Sequence, residues 1–467
     1  MNRRLRLRVA SPAVYTLLVS LVFFPLLLAR SLSNGSPTKV ACGQTITEDT
    51  TLDEDLTCPP DTDFAIAIGA SNITLDLNGH VLSGYAPIGR IGGVGVFVQD
   101  KEGVIIRNGT IEEFNDGISI AGTRRLTIEN LTVKNRRIID PNHFVFGVAI
   151  YHSQDVVVRD MLFEFPSVAH KSAVEIWESN VAVSNIEVHG GGVGVSFSFN
   201  QICDPAHTPS NGTVLNSGFS GIYIAGIWAA CSSSARIEGN DFSTAPGVGV
   251  GIQGDAPFFG AVTDITVEGN HIHDASTGIE FRGIIESSIS NNIVSDNGAW
   301  GIAMRQSLGC LNPEPGWECF YSTANVITDN EALGNGTDLY HHEDSRGNIW
   351  KRNTCETKQG VDIPECTIPL VTIGRVNDDV ALIWRHHSAN TNGYEVWCST
   401  TDPYFAPGAS GAISVTVPPP GGYTHSGAMS STDNYFYTVL GVNGVGEKSS
   451  PSNRTGKYSF DLTPGAP

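Results

Sequence analysis

The stretch HKSAVEIWES, residues 170–179, holds the densest group of side chains able to move protons. His and Lys come directly before an alternating segment that places a Glu and a Trp on one face. Removing a proton beside a carboxylate needs a base such as Lys, Arg, His or Tyr, together with a cation or donor that neutralises the carboxylate. The alternative is a solvated polar end of a repeat. The predicted catalytic residues are His170, Lys171, Glu175 and, about one repeat earlier, His152.

A second group of side chains has the composition of a sugar-binding surface. Aromatic faces stack on pyranose rings, while carboxylates and guanidinium groups bind hydroxyl or carboxyl groups. Because these residues recur at equivalent positions of successive repeats, we expect them to line one groove. The alternative is that exposed aromatic residues only cover a sheet surface. The predicted substrate-binding residues are Tyr151, Trp177, Tyr223, Glu280, Arg282 and Arg305.

The elements that must position these side chains form a repeated pattern. A small residue followed by two apolar residues one apart recurs ten times, in steps of 21 to 37 residues. One such step suits one coil of a parallel β-helix, in which each strand lies about 4.8 Å from the strand of the next coil. A β-propeller, the alternative, needs blades of about forty residues or more. The ten copies begin their apolar pairs at Val96, Ile118, Val148, Val174, Val195, Ile222, Val250, Ile279, Ile302 and Leu339.

Asparagine marks the same bend in many of these coils. An apolar alternation ending in Asn or Asp precedes most copies of the repeat, as in TIEN, VEGN and ITDN. Amide side chains at equivalent bends can donate to one another and form a ladder. The pattern therefore predicts stacked Asn residues inside the turns, with alternate apolar residues of each strand pointing into a central core.

The spacing of the carboxylates disfavours glycoside hydrolysis. An acid and base pair must lie within about 5–10 Å. Glu175 and Glu280 fall four coils apart, or roughly 19 Å at the strand spacing. Gly251 and Ala303 occupy the neighbouring positions of Glu280, so it has no acidic partner in its own row. A lyase or an epimerase is favoured over a hydrolase on these grounds.

No metal ligands are predicted, although two clusters contain ligand-type side chains. HIHD puts His271 and His273 on one face near Asp241, Asp274 and Asp296, and HHED spans residues 341–344. Surface histidine pairs are usually not ligands, and four Met in the whole chain disfavour copper handling. The cofactor is therefore unknown, and calcium held by loop carboxylates is the favoured ion if one is used.

The coils, together with ITEDTTLDEDLTCPPDTDFAIAIGASNITLDLNGHVLSG ahead of them, resemble right-handed parallel β-helix proteins of the pectate lyase-like superfamily. Within it they are similar to secreted NosD-like proteins with a right-handed β-helix repeat. The resemblance covers roughly residues 40–366 and implies an all-β, right-handed parallel β-helix of about ten to eleven coils. It does not imply one function, because the architecture carries lyases, hydrolases, epimerases and adhesins.

The pattern changes after Cys366, where alternating strands are separated by turn signals. Trp384 on an early strand and Tyr435 on a late one resemble a fibronectin type III sandwich. Residues 367–467 are therefore predicted to form a small fibronectin type III-like β-sandwich, a kind of module that usually acts as a spacer or attachment unit.

The N-terminus predicts export. Four Arg precede an apolar run from Ala13 to Ala29, which is the layout of a signal peptide over residues 1–30, with an uncleaved anchor as the alternative. Removal of the residues up to Ala29 leaves 24 Lys and Arg against 48 Asp and Glu. This excess of negative charge opposes binding to nucleic acid or anionic membranes, and disfavours a polyanionic substrate unless cations or local Arg and Lys screen it.

The nine Cys also indicate an oxidising compartment. Eight of them form neighbours in sequence that can staple local loops, and Cys398 is left over. The predicted pairs are Cys42 with Cys58, Cys203 with Cys231, Cys310 with Cys319, and Cys355 with Cys366.

Together these features predict a monomeric protein, secreted or on the cell surface, that binds or processes extracellular polysaccharide. If it is catalytic, a polysaccharide lyase or uronate epimerase is favoured. The alternative is a non-catalytic surface or adhesion protein whose ladder of coils only presents binding area.

Overall fold

The structure is a computed structural model, and it describes most of the chain after residue 38. The described residues are 39–59, 62–84, 93–135, 145–166, 171–197, 209–230, 232–243, 247–253, 262–307, 310, 319–364, 371–384, 390, 392–446, 448–449 and 451–458. They all belong to one compact unit, Pro37–Pro467; the other unit is Met1–Ser36. The predicted signal peptide, His170 and three of the paired cysteines (Cys203, Cys231 and Cys366) lie outside the described residues. In the described part, no helix has the length and hydrophobicity needed to cross a membrane.

The repeats form one long parallel sheet. Each strand pairs in parallel with the equivalent strand of the next coil, so that strand order follows chain order. It extends beyond the ten repeats seen in the sequence, by two strands at the start and one at the end. Numbering all strands β1 to β39 along the chain, its members are β1 Gln44–Ile46, β4 Phe64–Ile68, β7 Val94–Gln99, β9 Asp116–Ala121, β11 Val145–Tyr151, β13 Lys171–Trp177, β15 Val193–Phe197, β18 Ala225–Ala230, β21 Val248–Gln253, β24 Thr277–Arg282, β27 Trp300–Arg305, β30 Thr337–His341 and β32 Lys358–Gly360.

The rest of each coil supplies further parallel strands that also pair with the next coil. These are β2 Thr50–Thr51, β3 Leu56–Thr57, β5 Thr74–Asp76, β6 Val81–Ser83, β8 Ile105–Glu112, β10 Thr127–Lys134, β12 Val156–Glu164, β14 Asn180–His189, β16 Ser210–Leu215, β17 Gly218–Ser220, β19 Ser232–Glu238, β20 Asp241–Ser243, β22 Thr266–Glu268, β23 His271–His273, β25 Ser288–Ser290, β26 Ile293–Ser295, β28 Val326–Thr328, β29 Glu331–Leu333 and β31 Ile349–Lys351. The described coils therefore form a parallel β-solenoid, as the sequence predicted.

The core of the solenoid is a continuous apolar column. Val174 and Ile176 of β13 are fully buried and pair with Val148 and Ile150 of β11, which are also fully buried. Burying each such side chain contributes about 1.5–3 kcal/mol, and the same alternation repeats from coil to coil. The residues between them point to the opposite face of the sheet, where a site can form.

The predicted asparagine ladder is confirmed from Asn240 onward but not in the earlier coils, where Asn130 of TIEN is exposed. The side-chain amide Nδ2 of Asn240 donates to Oδ1 of Asn270 at 2.9 Å, and Asn270 donates to Asn292 at 2.9 Å. Asn292 continues to Asn330 at 2.8 Å, and Asn330 to Asn353 at 2.9 Å. The first four are at most 2% exposed. The ladder therefore satisfies buried polar groups at the bend of successive coils and fixes their register.

The predicted register is wrong at one coil. The strand of the long sheet is Ala225–Ala230, so Ile227 rather than Ile222 pairs with Val195. Gly226 takes the corner position, where a Cβ would lie 2.4 Å from the ring of Phe242 and 2.9 Å from the carbonyl oxygen of Gly249. Tyr223 consequently precedes the strand, and its backbone N–H donates to Gly191 in a bend.

The C-terminal residues form two antiparallel sheets. Trp384, Tyr394 and Tyr437 are among the buried residues that the two sheets contribute to one apolar cluster. The three-stranded sheet contains β33 Val371–Val376, β34 Asp379–Trp384 and β37 Tyr423–His425; the four-stranded sheet contains β35 Gly393–Ser399, β36 Ile413–Val417, β38 Tyr435–Val442 and β39 Thr455–Lys457. These sheets are consistent with the small β-domain predicted from the sequence, and the fibronectin type III-like topology stays a prediction.

Disulfides join two of the predicted cysteine pairs. Cys42 is bonded to Cys58, and Cys310 to Cys319. Cys355 is also in a disulfide, while Cys398 is a free thiol. Disulfides of this kind persist in oxidising compartments, which agrees with a protein that functions outside the cytosol.

Candidate functional site

The outward residues of the long sheet form two rows that we call the outer face. Pairing of neighbouring strands sets each row, since residues at the same register lie directly above one another. The central row is Ala149, Glu175, Ser196, Trp228, Gly251, Glu280, Ala303 and Tyr340. The second row, two residues further along each strand, includes Tyr151 and Trp177 in one part and Ala230, Gln253, Arg282 and Arg305 in another.

Glu175 lies in the central row but is completely buried. Its Oε1 accepts a hydrogen bond from the hydroxyl of Ser196 at 3.1 Å, while Oε2 has no hydrogen-bond partner in the described part of the chain. Burial raises the pKa of this carboxyl well above its ordinary value, and the two nearby Ser hydroxyls only partly oppose the effect. Burial therefore favours the neutral, protonated form of Glu175 over a carboxylate.

Tyr151 and Trp177 lie beside Glu175 in the second row. Their ring centroids are 5.8 Å apart with the planes tilted by 49°, and both side chains are half-buried. Burial raises the pKa of the Tyr151 phenol, and the charges of Asp116 and Glu175 raise it further. Burial also raises the pKa of Asp116, to about 6. The structure thus brings two predicted binding residues together with two acidic groups.

Lys171 begins the same strand but faces a different environment. It is 3% exposed, and its Nζ donates to the backbone oxygen and to Oδ1 of Asn135 at 3.0 and 2.9 Å. Burial lowers its pKa to about 8, against the opposing charge of Glu113. Four residues of extended strand separate Lys171 from Glu175, which is about 13 Å. The two predicted catalytic residues therefore do not meet.

His152 follows Tyr151 in a turn with a left-handed backbone, φ 48°. Its side chain is 62% exposed, and Nδ1 lies 3.0 Å from Oε2 of Glu178. It is the accessible member of the predicted catalytic set, since Lys171 and Glu175 are buried and His170 lies outside the described residues.

Three of the other predicted binding residues do converge. Glu280 Oε1 accepts from Nη2 of Arg282 at 3.0 Å and from Nη1 of Arg305 at 2.5 Å. Glu280 is 5% exposed, and the side chains of the two Arg are 18% and 20% exposed. We call these three residues the arginine pair site. Two guanidinium groups against one carboxylate leave a net positive charge on an otherwise acidic protein.

One donor in the arginine pair site lacks an acceptor among the described residues. The Nε–H of Arg282 is buried and makes no hydrogen bond to any residue that the structure describes. Buried polar atoms in proteins are nearly always paired, so an orphaned donor beside a half-open guanidinium calls for a bound acceptor. A carboxylate matches the planar fork of Arg in geometry and in charge.

Aromatic residues flank the arginine pair site on both sides. The guanidinium of Arg305 lies 4.5 Å from the ring centroid of Trp300, and that ring is 5.4 Å from Tyr340. On the other side Trp228 lies over Gly251, where an added Cβ would be only 2.8 Å from the indole. Sequence reasoning missed Trp228 because the repeat was assigned to Ile222; the small residue Gly226 in the next alternation is the signal that locates it.

Glu175 and Glu280 are separated by the strands β15, β18 and β21, as predicted. The spacing therefore excludes this pair as the acid and base of a glycosidase.

Tyr223 is 52% exposed but lies outside the rows, in the bend before β18. Of the described residues, Asp241, His271 and His273 form a group with ligand atoms close enough to share a metal ion, and they lie on the shorter strands rather than on the outer face.

Comparisons with known proteins agree with the fold. Residues 206–367 match the family model described as right handed beta helix region. The surface adhesin PfbA of Streptococcus pneumoniae is similar in structure, with 12% identity, a TM-score of 0.46, and coverage of 72% of this chain and 89% of that one. The periplasmic alginate epimerase AlgG is 11% identical with a TM-score of 0.40, covering 67% and 76%.

A family 28 exopolygalacturonase of Yersinia enterocolitica is also similar, at 10% identity and a TM-score of 0.38, covering 70% of this chain and 74% of that chain. No curated protein sequence matches the chain. Identities and TM-scores this low carry no information about substrate or activity. The function must therefore be argued from the side chains of the outer face.

Proposed function

We propose that the protein binds acidic extracellular polysaccharide along the outer face, with the arginine pair site holding a uronate carboxylate. The observation that carries this proposal is the convergence of Arg282 and Arg305 on Glu280 between Trp228 and Trp300. Positive charge selects the carboxylate, and aromatic faces select the sugar ring. The acidic chain needs this local screening to accept a polyanion.

The arrangement suits a chain of sugars rather than a single small anion. Trp228, Arg282 and Arg305 lie on consecutive or nearly consecutive strands of the long sheet, and Tyr340 continues the surface one strand further. Adjacent strands are about 4.8 Å apart. The distance from the two Arg to the flanking aromatic residues is therefore similar to the distance between neighbouring sugar rings of a polysaccharide. Neutral glycans would gain the stacking but not the ionic contact.

The test is binding of the purified protein to polygalacturonate, alginate and neutral dextran, followed by isothermal titration with oligosaccharides of the best binder. Arg282→Ala and Arg305→Ala are each expected to weaken acidic binding about 10- to 100-fold, since a hydrogen bond to a charged group contributes about 1.5–3 kcal/mol. Arg282→Lys and Arg305→Lys keep the positive charge but lose the two-pronged guanidinium group. Their affinities for acidic polysaccharide are expected to lie between those of the wild type and the Ala variants.

Arg159→Ala is the matched control. Arg159 forms an Arg–Glu pair with Glu129 at 2.9 Å, but on β12 and β10, outside the long sheet. It is expected to leave binding unchanged. Equal binding of dextran and polygalacturonate, or full affinity in an Arg282→Ala/Arg305→Ala double variant that unfolds at the wild-type temperature, would overturn the proposal.

A second candidate function is proton abstraction from the bound sugar, as in a lyase or epimerase. The raised pKa values of Asp116, Tyr151 and Glu175 favour it, because perturbed groups cluster at catalytic sites. We place Tyr151 nearest the sugar with the exposed His152 beside it, and give the buried Glu175 and Lys171 positioning roles. An unsaturated product, detected by ultraviolet absorbance and absent in Tyr151→Phe, would support a lyase. If no bound polysaccharide gives either an unsaturated product or an epimerised uronate, the protein only binds the polysaccharide.

A further inference from the structure

Asp241, His271 and His273 form a compact cluster on the shorter strands, away from the outer face. Parallel pairing of β20 with β23 places Asp241 directly beside His271 and Ser243 beside His273. Alternation along β23 puts the two imidazoles on the same side, with ring centroids 4.6 Å apart. One ligand atom from each of the three residues lies within 4.8 Å of the others.

The distances between these atoms are those of a shared ion rather than of hydrogen bonds. Oδ1 of Asp241 is 3.4 Å from Nδ1 of His271 and 3.6 Å from Nε2 of His273. Hydrogen bonds of this type are about 2.7–3.2 Å long. Ligands at about 2.0–2.1 Å from a tetrahedral zinc ion are roughly 3.3–3.4 Å apart, which is close to both separations.

Asp274 fixes the orientation of His273. Its Oδ2 lies 2.8 Å from Nδ1 of His273, so a neutral imidazole carries its proton on Nδ1 and leaves the lone pair of Nε2 facing Asp241. A lone pair facing a carboxylate oxygen is unfavourable unless a positive charge, either a proton on Nε2 or a metal ion, lies between them. A carboxylate behind a ligating histidine is the usual outer partner of a protein-bound metal ion.

Glu187 adds negative charge on the other side of Asp241. Gly218 is the neighbour of Asp241 one coil earlier, and Glu187 is the neighbour of Gly218. An oxygen of the Glu187 carboxylate lies 2.2 Å from where a Cβ of Gly218 would be, so this side chain leans over the glycine towards Asp241. Two imidazoles and nearby carboxylates form a donor set for a divalent cation.

We propose that Asp241, His271 and His273 bind a divalent transition-metal ion of the zinc class, with Asp274 as the outer partner of His273. Two nitrogen ligands exclude calcium as the preferred ion, because calcium takes oxygen ligands. The ion cross-links two adjacent coils, since Asp241 belongs to one and both His to the next. Asp241 and His271 are 63% and 49% exposed, so the fourth position is open to water or to an incoming ligand.

The test is titration of the metal-free full chain, its disulfides intact, with Zn²⁺ by calorimetry and with Co²⁺ by visible absorption. One ion per chain and an intense Co²⁺ spectrum of tetrahedral type are expected. Asp274→Asn is expected to weaken Zn²⁺ binding about 10- to 100-fold, and His271→Ala or His273→Ala more than that. Ca²⁺ in excess is expected not to displace Co²⁺.

His189→Ala is the matched control, because His189 lies in the same row as His273 but three coils away. It is expected to bind Zn²⁺ as the wild type does, as is Cys398→Ser, which removes the free thiol. Zn²⁺ binding that persists in the His271→Ala/His273→Ala double variant would overturn the proposal. So would the absence of binding in the wild type, or displacement of Co²⁺ by Ca²⁺.

Discussion

Arg282 and Arg305 occupy paired positions on adjacent strands, and both donate to the same oxygen atom, Oε1 of Glu280. Two guanidinium groups at such close range repel each other, and one carboxylate between them offsets the repulsion only in part. Glu280 thus holds the two Arg in place, and the group of three side chains keeps a net positive charge. We therefore expect the outer face to bind anionic ligands at these two Arg.

Removing the central carboxylate is expected to strengthen the binding of acidic oligosaccharide. Glu280→Gln keeps the shape and one acceptor oxygen but removes the negative charge that competes with the ligand for both Arg. The dissociation constant for an acidic oligosaccharide is expected to fall several-fold, as calorimetry at fixed ionic strength would measure. Weaker binding would mean that Glu280 itself contacts the sugar.

Gly251→Ala is expected to displace Trp228 and weaken binding. The added Cβ would lie 2.8 Å from the indole, which must then tilt away from the face. A stacking loss of about 1 kcal/mol corresponds to roughly fivefold weaker binding. Gly374→Ala, where nothing lies within 4 Å of the added atom, is the control. Unchanged binding in Gly251→Ala would remove Trp228 from the site.

Asn292→Ala is expected to destabilise the solenoid by about 3 kcal/mol. The amide oxygen of Asn292 accepts from the backbone N–H of Asn270, and its Nδ2 donates to the carbonyl of Val267 and to Asn330, so its loss removes several buried hydrogen bonds at once. A lower midpoint of urea unfolding, followed by circular dichroism, would measure this. Gln154→Ala removes an exposed amide and is expected to change the free energy of unfolding by less than about 0.5 kcal/mol. Similar effects of the two substitutions would contradict the role of the ladder.

Glu175 makes stability depend on pH. Because burial raises its pKa in the folded state, folding retains a proton that the unfolded chain releases, and stability is lost as pH rises from the ordinary Glu pKa towards the folded one. Glu175→Gln is therefore expected to raise the free energy of unfolding at pH 7, with little effect at pH 4. Each pKa unit corresponds to about 1.4 kcal/mol.

Urea unfolding of both proteins between pH 4 and pH 8 would measure the difference. Glu331→Gln changes an exposed carboxyl on β29 and serves as the control. Parallel pH profiles for wild type and Glu175→Gln would show that Glu175 ionises without cost. Asp116, whose pKa rises to about 6, adds a loss of stability in the same direction between about pH 4 and pH 6.

The local pattern of the sequence determined the solenoid, the alternation of inward and outward residues, and the asparagine ladder. These features follow from neighbours along the chain: strand alternation has a period of two, and each coil repeats the same bend. The separation of Glu175 from Glu280 was predictable for the same reason, since counting coils and multiplying by the strand spacing needs no tertiary contact.

The tertiary structure decided which side chains lie next to one another across coils. It aligned Gly226 rather than Gly221 with Gly194 and Gly249, and so put Trp228, not Tyr223, on the outer face. It also buried Glu175 and turned Lys171 towards Asn135. Such outcomes depend on how many residues each corner takes up and on what covers a strand, and both are fixed only when the coils stack.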